Sequence, residues 1–348
     1  MTARLFVFAL SLAALSMGAV GTSSIESALA NPAVVVRVGH FPNITHAQAL
    51  IGHANGAFAK AMGPDVTIDW KIFNAGPAAI EALFAGELDL AYIGPGPAIN
   101  AYVKSKGKVP VVIAGSADGG AALIVRPAAG IRTPADVRGK RIATPQLGNT
   151  QDIALRGWLK DHGLAPMERG GDVKVMPMEN PNALTLFRLG QIDGAWSPEP
   201  WASRLVQEGG GTVFLDERDL WKDRTGGRFA TTLLVAHPKF LHAHPDLARR
   251  WVGAHVEITA WIAGHSDEAK TLVNGQIKAV VGKPLPPAVL DSAWSRVRFT
   301  ADPIKESLAQ SVRWAFEQGF LGRKQPDISQ LIDSRWLPAG TVTPKPSR

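Results

Sequence analysis

Gly148-Asn-Thr-Gln-Asp152 sets amide, hydroxyl and carboxylate groups immediately ahead of the amphipathic run Ile153–Leu159. Asn or Thr in front of a helix can accept hydrogen bonds from first-turn amides, and Asp152 in that turn suits the helix dipole. The remaining N–H donors of such a start make an anion site, and Gly148 lets backbone approach a ligand. Asn149, Thr150 and Gln151 are therefore candidate ligand contacts. No Lys follows as in a phosphate loop, which argues against a nucleoside triphosphate. Asn74-Ala-Gly-Pro77 makes the same offer: Gly76 permits close approach, and Pro77 begins a helix where its missing N–H costs nothing. In Gly94-Pro-Gly-Pro97 the residues Gly94, Pro95 and Gly96 read as a rigid turn facing a cleft. Ile99 stands where a dinucleotide fingerprint needs its third Gly.

Phe41, Trp196 and Trp201 lie in or beside these loops, where they can wall an alkyl or aryl part of a ligand; core packing is the expectation for Trp196. Glu199 sits between two prolines, placed to cap a helix, pair with Arg228, or meet a cationic or hydroxyl group of the ligand. His40 ends the first strand and can reach the cleft. His46 and His53 are two helical turns apart, about 10 Å of rise, too far to share one ion; His53 reads as packing. His242 and His244 precede Pro245 and read as a helix entrance. No metal or cofactor site is expected. Gly-x-Ser-x-Gly, Ser-x-x-Lys and His-Glu-x-x-His patterns are all absent, so catalysis has no residue-level support and the chain is not expected to be an enzyme.

The elements that must position these loops are written twice. Aligning Arg37 with Arg141, 104 residues on, brings Pro77 onto Pro181, Gly86 onto Gly190, Asp89 onto Asp193 and Tyr92 onto Trp196. Both copies read strand, polar loop, helix, strand, Pro-led helix, Gly-x-apolar-Asp, aromatic and Pro-rich loop, one structural unit used twice. Strands alternating with helices imply parallel sheets with helices on both faces, and ligands in such sheets sit beyond the carboxyl ends of the strands. Ala121–Val125 and Thr231–Ala236 are apolar runs that read as strands crossing between two lobes. The last third is helix-rich, with Trp251, His255 and Ile258 at helical spacing and a similar pattern from Ser311 to Phe320.

Composition sets the context. Arg4, the apolar run Leu5–Val20 and Ser27-Ala-Leu-Ala30 fit a secretory signal cleaved after Ala30, and no later segment approaches a spanning helix. The absence of cysteine excludes disulfides, thiolate metal sites and a lipid attached after the leader. A soluble exported chain that must stay near its cell points to the periplasm. The formal charge of +7 is spread thinly, without the Lys/Arg runs of nucleic-acid binders; in this setting it favours anionic ligands or envelope surfaces.

Taken together, Phe73-Asn-Ala-Gly-Pro77 with Glu81-Ala-Leu83, Gly86-Glu-Leu-Asp89, Gly139-Lys-Arg-Ile-Ala143, Ile192-Asp193, Glu199-Pro-Trp201 and Thr225-Gly-Gly-Arg-Phe229 carry a resemblance. Over nearly the whole mature chain the sequence resembles periplasmic substrate-binding proteins of ABC importers in the aliphatic sulfonate, taurine and nitrate group. It departs from sulfonate binders of that group in having Gly-Asn-Thr-Gln for a Ser-rich loop and Pro198 for an aromatic.

The resemblance implies an α/β, type II periplasmic-binding-protein fold. It has two lobes, each a mainly parallel sheet flanked by helices, closing on a small anion. Carried over by position, the contacts come from His40, Phe41, Asn43 and Thr45; from Asn74, Gly76 and Pro77; from Gly94, Pro95 and Gly96; from Gly148, Asn149, Thr150 and Gln151; and from Glu199, Trp201 and Arg228. The implied division is a leader over 1–30, lobe I over 33–122 and 231–336, lobe II over 123–230, and a tail over 337–348. A monomer handing an organosulfonate or similar anion to a membrane permease with its ATPase is the leading expectation. Nitrate, bicarbonate, an aromatic carboxylate, a thiamin-type pyrimidine, a sensor role, or an enzyme like the pyrimidine synthases are the alternatives. Those synthases carry a cysteine-rich motif, and this chain has no cysteine.

Overall fold

The computed structural model describes residues 34–341. The expected leader over 1–30, its cleavage point and residues 342–348 of the expected tail lie outside the described residues.

The chain starts as β1 (Val34–His40), α1 (Ala47–Ala54), α2 (Ala57–Met62), β2 (Val66–Ile72), α3 (Gly76–Phe84), β3 (Leu90–Ile93), α4 (Pro95–Lys104) and β4 (Val111–Gly119). It continues as β5 (Ala121–Val125), β6 (Arg141–Pro145), α5 (Thr150–Asp161), β7 (Lys174–Met178), α6 (Asn180–Arg188), β8 (Gly194–Pro198), α7 (Trp201–Gln207), β9 (Thr212–Asp216) and α8 (Glu217–Thr225). It ends with β10 (Ala230–Ala236), α9 (Pro238–Ala243), α10 (Pro245–Gly264), α11 (Ser266–Val281), α12 (Pro287–Ser295), β11 (Val297–Phe299) and α13 (Lys305–Glu317). Two sheets result, a six-stranded β11-β4-β10-β3-β1-β2 and a five-stranded β7-β6-β8-β5-β9.

Among the named strands, parallel pairing is confined to the repeated units. β1 pairs parallel with β2 and β3, and β6 with β7 and β8. Val38 stands opposite Leu90 and Gly39 opposite Ala91; Ile142 stands opposite Gly194 and Ala143 opposite Ala195, the same register 104 residues later. The crossing strands pair antiparallel: β5 with β8 and β9, and β10 with β3 and β4. The sheets are thus mixed where mainly parallel sheets were expected, because β5 and β10 join the repeated units in the reverse direction; each lies wholly in one sheet instead of crossing between lobes as expected, and the crossings fall just before them. At the β4–β5 crossing Gly119 and Gly120 take φ of +82° and +78°, a region that side chains with a Cβ rarely occupy.

The repeated Arg and Asp tie each unit together. Arg37 donates to Asp89 Oδ2 from its backbone N and from Nε, both at 2.9 Å, and to Oδ1 from Nη2 at 2.7 Å. Arg141 does the same to Asp193, at 2.8, 3.0 and 2.9 Å. Each guanidinium also donates to the carbonyl of the repeated Gly, Gly86 or Gly190. These bonds hold the first strand of each unit, at the middle of β1 and at the first residue of β6, to the turn that launches the third strand, which fixes where the third strand's carboxyl end emerges. The Arg141 guanidinium and backbone hold the Asp193 carboxyl below its ordinary value.

On β1 the inward Val36 and Val38 alternate with Val35 and Arg37. They share a core with Leu50, Ile51, Phe58 and Trp251, whose Phe58 and Trp251 rings stack at 4.0 Å. Fully burying side chains of this kind contributes about 1.5–3 kcal/mol each.

Candidate functional site

Four helices begin around one cavity. Asn74 precedes α3, Gly94 precedes α4, Asn149 to Gln151 open α5, and Asn180 opens α6, and all of these line it. The rest of the lining is Phe41, Asn43, Thr45 and His46 after β1, Pro145 and Pro198 at the ends of β6 and β8, and Thr231 and Thr232 on β10. Asn149 caps α5, its side chain accepting from Thr150 N at 2.8 Å. The N-caps of α3, α4 and α6 (Ala75, Gly94 and Glu179) accept no such bond, and each of these helices has Pro in its first turn. First-turn amides are therefore left for another acceptor, and the helix dipoles bring positive potential to the same place. No Asp, Glu, Lys or Arg is among the lining residues. The space leaves about 20 Å³ for the centres of water-sized occupants, so a larger ligand must move the walls.

The walls touch across the cavity. Gly96 N donates to Thr150 Oγ1 at 3.2 Å, Trp201 Nε1 to Asn43 Oδ1 at 3.1 Å, and Asn74 Nδ2 to Glu179 Oε2 at 3.3 Å. The first of these depends on glycine. A Cβ at Gly94 would meet Thr150 Oγ1 at 2.3 Å, and one at Gly96 would meet Thr150 N at 2.9 Å.

Of the residues singled out in the sequence, Phe41, Asn43, Thr45, Asn74, Gly94, Asn149, Thr150 and Gln151 line the cavity. His40, Gly76, Pro77, Pro95, Gly96, Gly148, Glu199, Trp201 and Arg228 do not. The glycines serve protein packing: Gly76 faces Pro97, whose Cγ lies 2.3 Å from where its Cβ would stand, and Gly148 takes φ of +75° in the turn before α5. Pro77 and Pro95 act at the first turns of their helices. His40 is buried beside Trp70, and burial pushes it down to about 4, so it is a neutral core residue at neutral pH. Trp201 stands at the flank with the Arg204 guanidinium over its ring. Trp196 is fully buried, as expected.

Glu199 resolves the alternatives left open for it in favour of capping. Its Oε2 accepts from Ser203 N in α7 at 3.0 Å. Its cationic neighbour is Arg296, Nε at 3.5 Å from Oε1; the Glu199–Arg228 pair does not form. Arg228 instead pairs with Asp302 at 2.7 Å and lies 3.6 Å from Asp118. Burial pushes the Glu199 carboxyl up to about 7.

Six lining residues escaped the sequence reading: His46, Pro145, Asn180, Pro198, Thr231 and Thr232. A signal existed for Asn180, which the 104-residue repeat places on Gly76. His46 Nδ1 accepts from Phe41 N at 3.3 Å. Burial holds His46 well below its ordinary value, so the ring is neutral and carries its proton on Nε2. Asp152, the expected first-turn acid, is fully buried and accepts from Thr144 Oγ1 at 2.8 Å, Gly148 N at 2.9 Å and Arg156 Nε at 3.0 Å. The described residues contain no group of three His, Asp or Glu able to hold a metal ion, and no described helix is long and apolar enough to cross a membrane.

Comparison with known proteins places this geometry in a group. Residues 30–275 match the NMT1-like family. The chain is 25% identical over 301 residues to the taurine-binding periplasmic protein of Escherichia coli K12, covering 83% of this chain and 89% of that one. The fold is shared with the alkanesulfonate-binding protein SsuA of Xanthomonas axonopodis pv. citri, solved bound to MOPS, at a TM-score of 0.71 and 20% identity, over 86% of this chain and 98% of that one. It is shared also with the periplasmic aliphatic sulphonate-binding protein SsuA of Escherichia coli, at 0.67 and 22%, over 86% and 97%. The two sheets with flanking helices are therefore the periplasmic-binding-protein fold.

Proposed function

The chain belongs to the NMT1-like family, and from that premise we propose that it is the solute-binding component of an ABC-type importer, capturing an aliphatic sulfonate or similar small organic anion. The observation that carries this reading is the cavity where four helix starts converge with Asn, Thr and Gln side chains and no ionised group. Such a lining offers hydrogen-bond donors and positive dipole ends to a tetrahedral or planar anion, and it holds no carboxylate to repel one. The likeness to taurine- and sulfonate-binding proteins supports the same ligand class.

In this reading residues 33–120 with 230–336 form one lobe and 121–229 the other, the expected boundaries after 122 and 230 shifting so that β5 and β10 each stay within one sheet. Closure about Gly119, Gly120 and the β10 crossing presses α4 onto the start of α5 and presents the closed form to a permease and its ATPase. Ligand contacts come from Phe41, Asn43, Thr45, Asn74, Gly94, Asn149, Thr150 and Gln151, joined by His46, Asn180, Thr231 and Thr232. The protein acts as a carrier in the periplasm, exported by a leader cleaved after Ala30, and performs no catalysis.

The test is a thermal-shift screen of the purified protein against alkyl and aryl sulfonates, taurine, sulfate, nitrate, bicarbonate, carboxylates and thiamin-type pyrimidines, with calorimetry on hits. A ligand specific to the folded state at ~100 times its Kd adds about 2.7 kcal/mol. A sulfonate hit is expected; hits confined to nitrate, carboxylates or neutral heterocycles would discard the sulfonate assignment.

A further inference from the structure

Among the residues that line the main cavity, Asn180 alone holds a buried side-chain oxygen, Oδ1, with no hydrogen-bond partner. Asn180 is 4% exposed and opens α6, whose N-cap Glu179 makes no side-chain bond to the first turn. Three other acceptors of the lining are taken: Asn43 Oδ1 by Trp201 Nε1, Asn149 Oδ1 by Thr150 N and Thr150 Oγ1 by Gly96 N. A buried acceptor left unpaired is costly, and an occupant that brings a donor to it removes the cost.

Much of the remaining lining donates. The first-turn amides of α3, α4 and α6 lack side-chain caps, and His46, whose Nδ1 accepts from Phe41 N, carries its proton on Nε2. These donors suit anionic oxygens. No Lys or Arg is among the lining residues to balance a second negative charge, and a buried charge without a partner is unfavourable. The occupant that meets both demands is a tetrahedral monoanion that still holds one proton. A sulfonate has three accepting oxygens and nothing to donate. A phosphonate monoanion has the same shape and charge, and its P–OH is a donor. A carboxamide offers one acceptor and one donor edge, so P–OH and P–O⁻ of one head answer both edges of Asn180 whichever way round it stands, whereas a sulfonate answers only the NH₂.

We propose that the cavity takes a short-chain alkylphosphonate as its monoanion, and that Asn180 reads the phosphonate proton and ranks this ligand above the sulfonate of equal chain length. The P–OH donates to Asn180 Oδ1, the anionic oxygens accept from the helix starts and from His46 Nε2, and the alkyl group lies against Phe41, Pro145 and Pro198. A site built around one hydrogen bond rejects the analogue that lacks it. The inference rests on the reading of the cavity as an anion site and changes which anion fits it best.

The test is calorimetry of the purified protein with methylphosphonate against methanesulfonate and ethylphosphonate against ethanesulfonate, on the acidic and alkaline sides of the phosphonate's second ionisation. On the acidic side the phosphonates are expected to bind about ten-fold or more tightly than their partners, the effect of satisfying one buried acceptor. On the alkaline side their affinity should fall about ten-fold for each pH unit, while that of the sulfonates stays level. Changes of charge on His46, on Glu179 bonded to Asn74, on Asp152 paired with Arg156, or on α7, β6 and β8 packed against α6 act on both members of a pair, so the sulfonate is their control. Asn180→Asp should widen the preference, because a carboxylate accepts a P–OH and repels a head without one; Asn180→Leu should bring the ratio near one. If one variant does not fold, the other and the wild-type pH profile still decide. Phosphonates bound with sulfonates inert would uphold the proton reading and remove sulfonates from the proposed function. Sulfonates bound as tightly as phosphonates, or phosphonates indifferent to their second ionisation, would overturn the proton reading and leave the anion carrier standing. An undiminished preference in Asn180→Leu would overturn the part given to Asn180. Binding of neither overturns both.

Discussion

Gly96→Ala tests whether the contact between α4 and α5 belongs to closure or to the core. The added Cβ would stand 2.9 Å from Thr150 N, 3.0 Å from Thr150 Cα and 3.1 Å from Asn149 C, all backbone atoms. No rotamer change relieves such contacts, so the helices must separate by about half an ångström to reach ordinary van der Waals distance. The 3.2 Å bond from Gly96 N to Thr150 Oγ1 is then stretched beyond hydrogen-bonding range. Losing it costs about 1 kcal/mol, and overpacking costs typically about 1–3 kcal/mol. If the lobes are free to part, that cost falls on closure alone, because Gly96 lies within α4 and has no positive φ. The expected result is a thirty- to several-hundred-fold loss of affinity for the tightest-binding ligand, about 2–4 kcal/mol, with the ligand-free melting temperature nearly unchanged. Calorimetry and melting curves measure the two quantities separately. Unchanged affinity, or a fall in ligand-free stability matching the affinity loss, would refute the reasoning and make the contact a fixed part of the core.

The twin bridges should behave alike: Asp89→Ala and Asp193→Ala each remove a bidentate, partly buried partner and are expected to cost about 2 kcal/mol in denaturant unfolding, adding in the double variant. Asp193 is held below its ordinary value, so its share of stability is present at neutral pH and is lost on acidification through that lowered pKa. Glu199 and Glu217, both pushed up to about 7 from 4.5, act with the opposite sign. Their protonated forms favour the fold, and stability attributable to them falls as pH rises from 4.5 towards about 7, on the order of 3 kcal/mol for each group. Chemical denaturation of Glu199→Gln across that range should show a shallower slope than wild type, and an identical slope would contradict the assignment. Thr150→Ala with Gln151→Ala should weaken ligand binding at least ten-fold by calorimetry; unchanged affinity would reduce the start of α5 to a helix cap.

Short-range information was legible in the sequence. Pro77 and Pro181 mark helix starts because a first-turn residue needs no N–H; Pro95 does the same for α4, where a rigid turn was expected over Gly94 to Gly96. The 104-residue repeat announced two similar units because each must place the same Arg, Gly and Asp around one strand-helix-strand path. The register of β1 on β3 and of β6 on β8 follows from that repetition. What the local pattern left open was the reason for it, an arginine fork closing on an aspartate 52 residues away.

Which residues share a space was decided only in three dimensions. His46 and Thr231 meet Asn149 to Gln151 at one cavity because the chain passes from the six-stranded sheet to the five-stranded one between β4 and β5 and returns before β10. Glu199 meets Arg296 and not Arg228 through such long-range packing, whereas its bond to Ser203 in the next helix turn is local. Local propensity sets where an element begins and which face is apolar; it contains no term for segments brought together by a crossing. Partners separated by a hundred residues or more are fixed by packing, and with them the chemistry of the site.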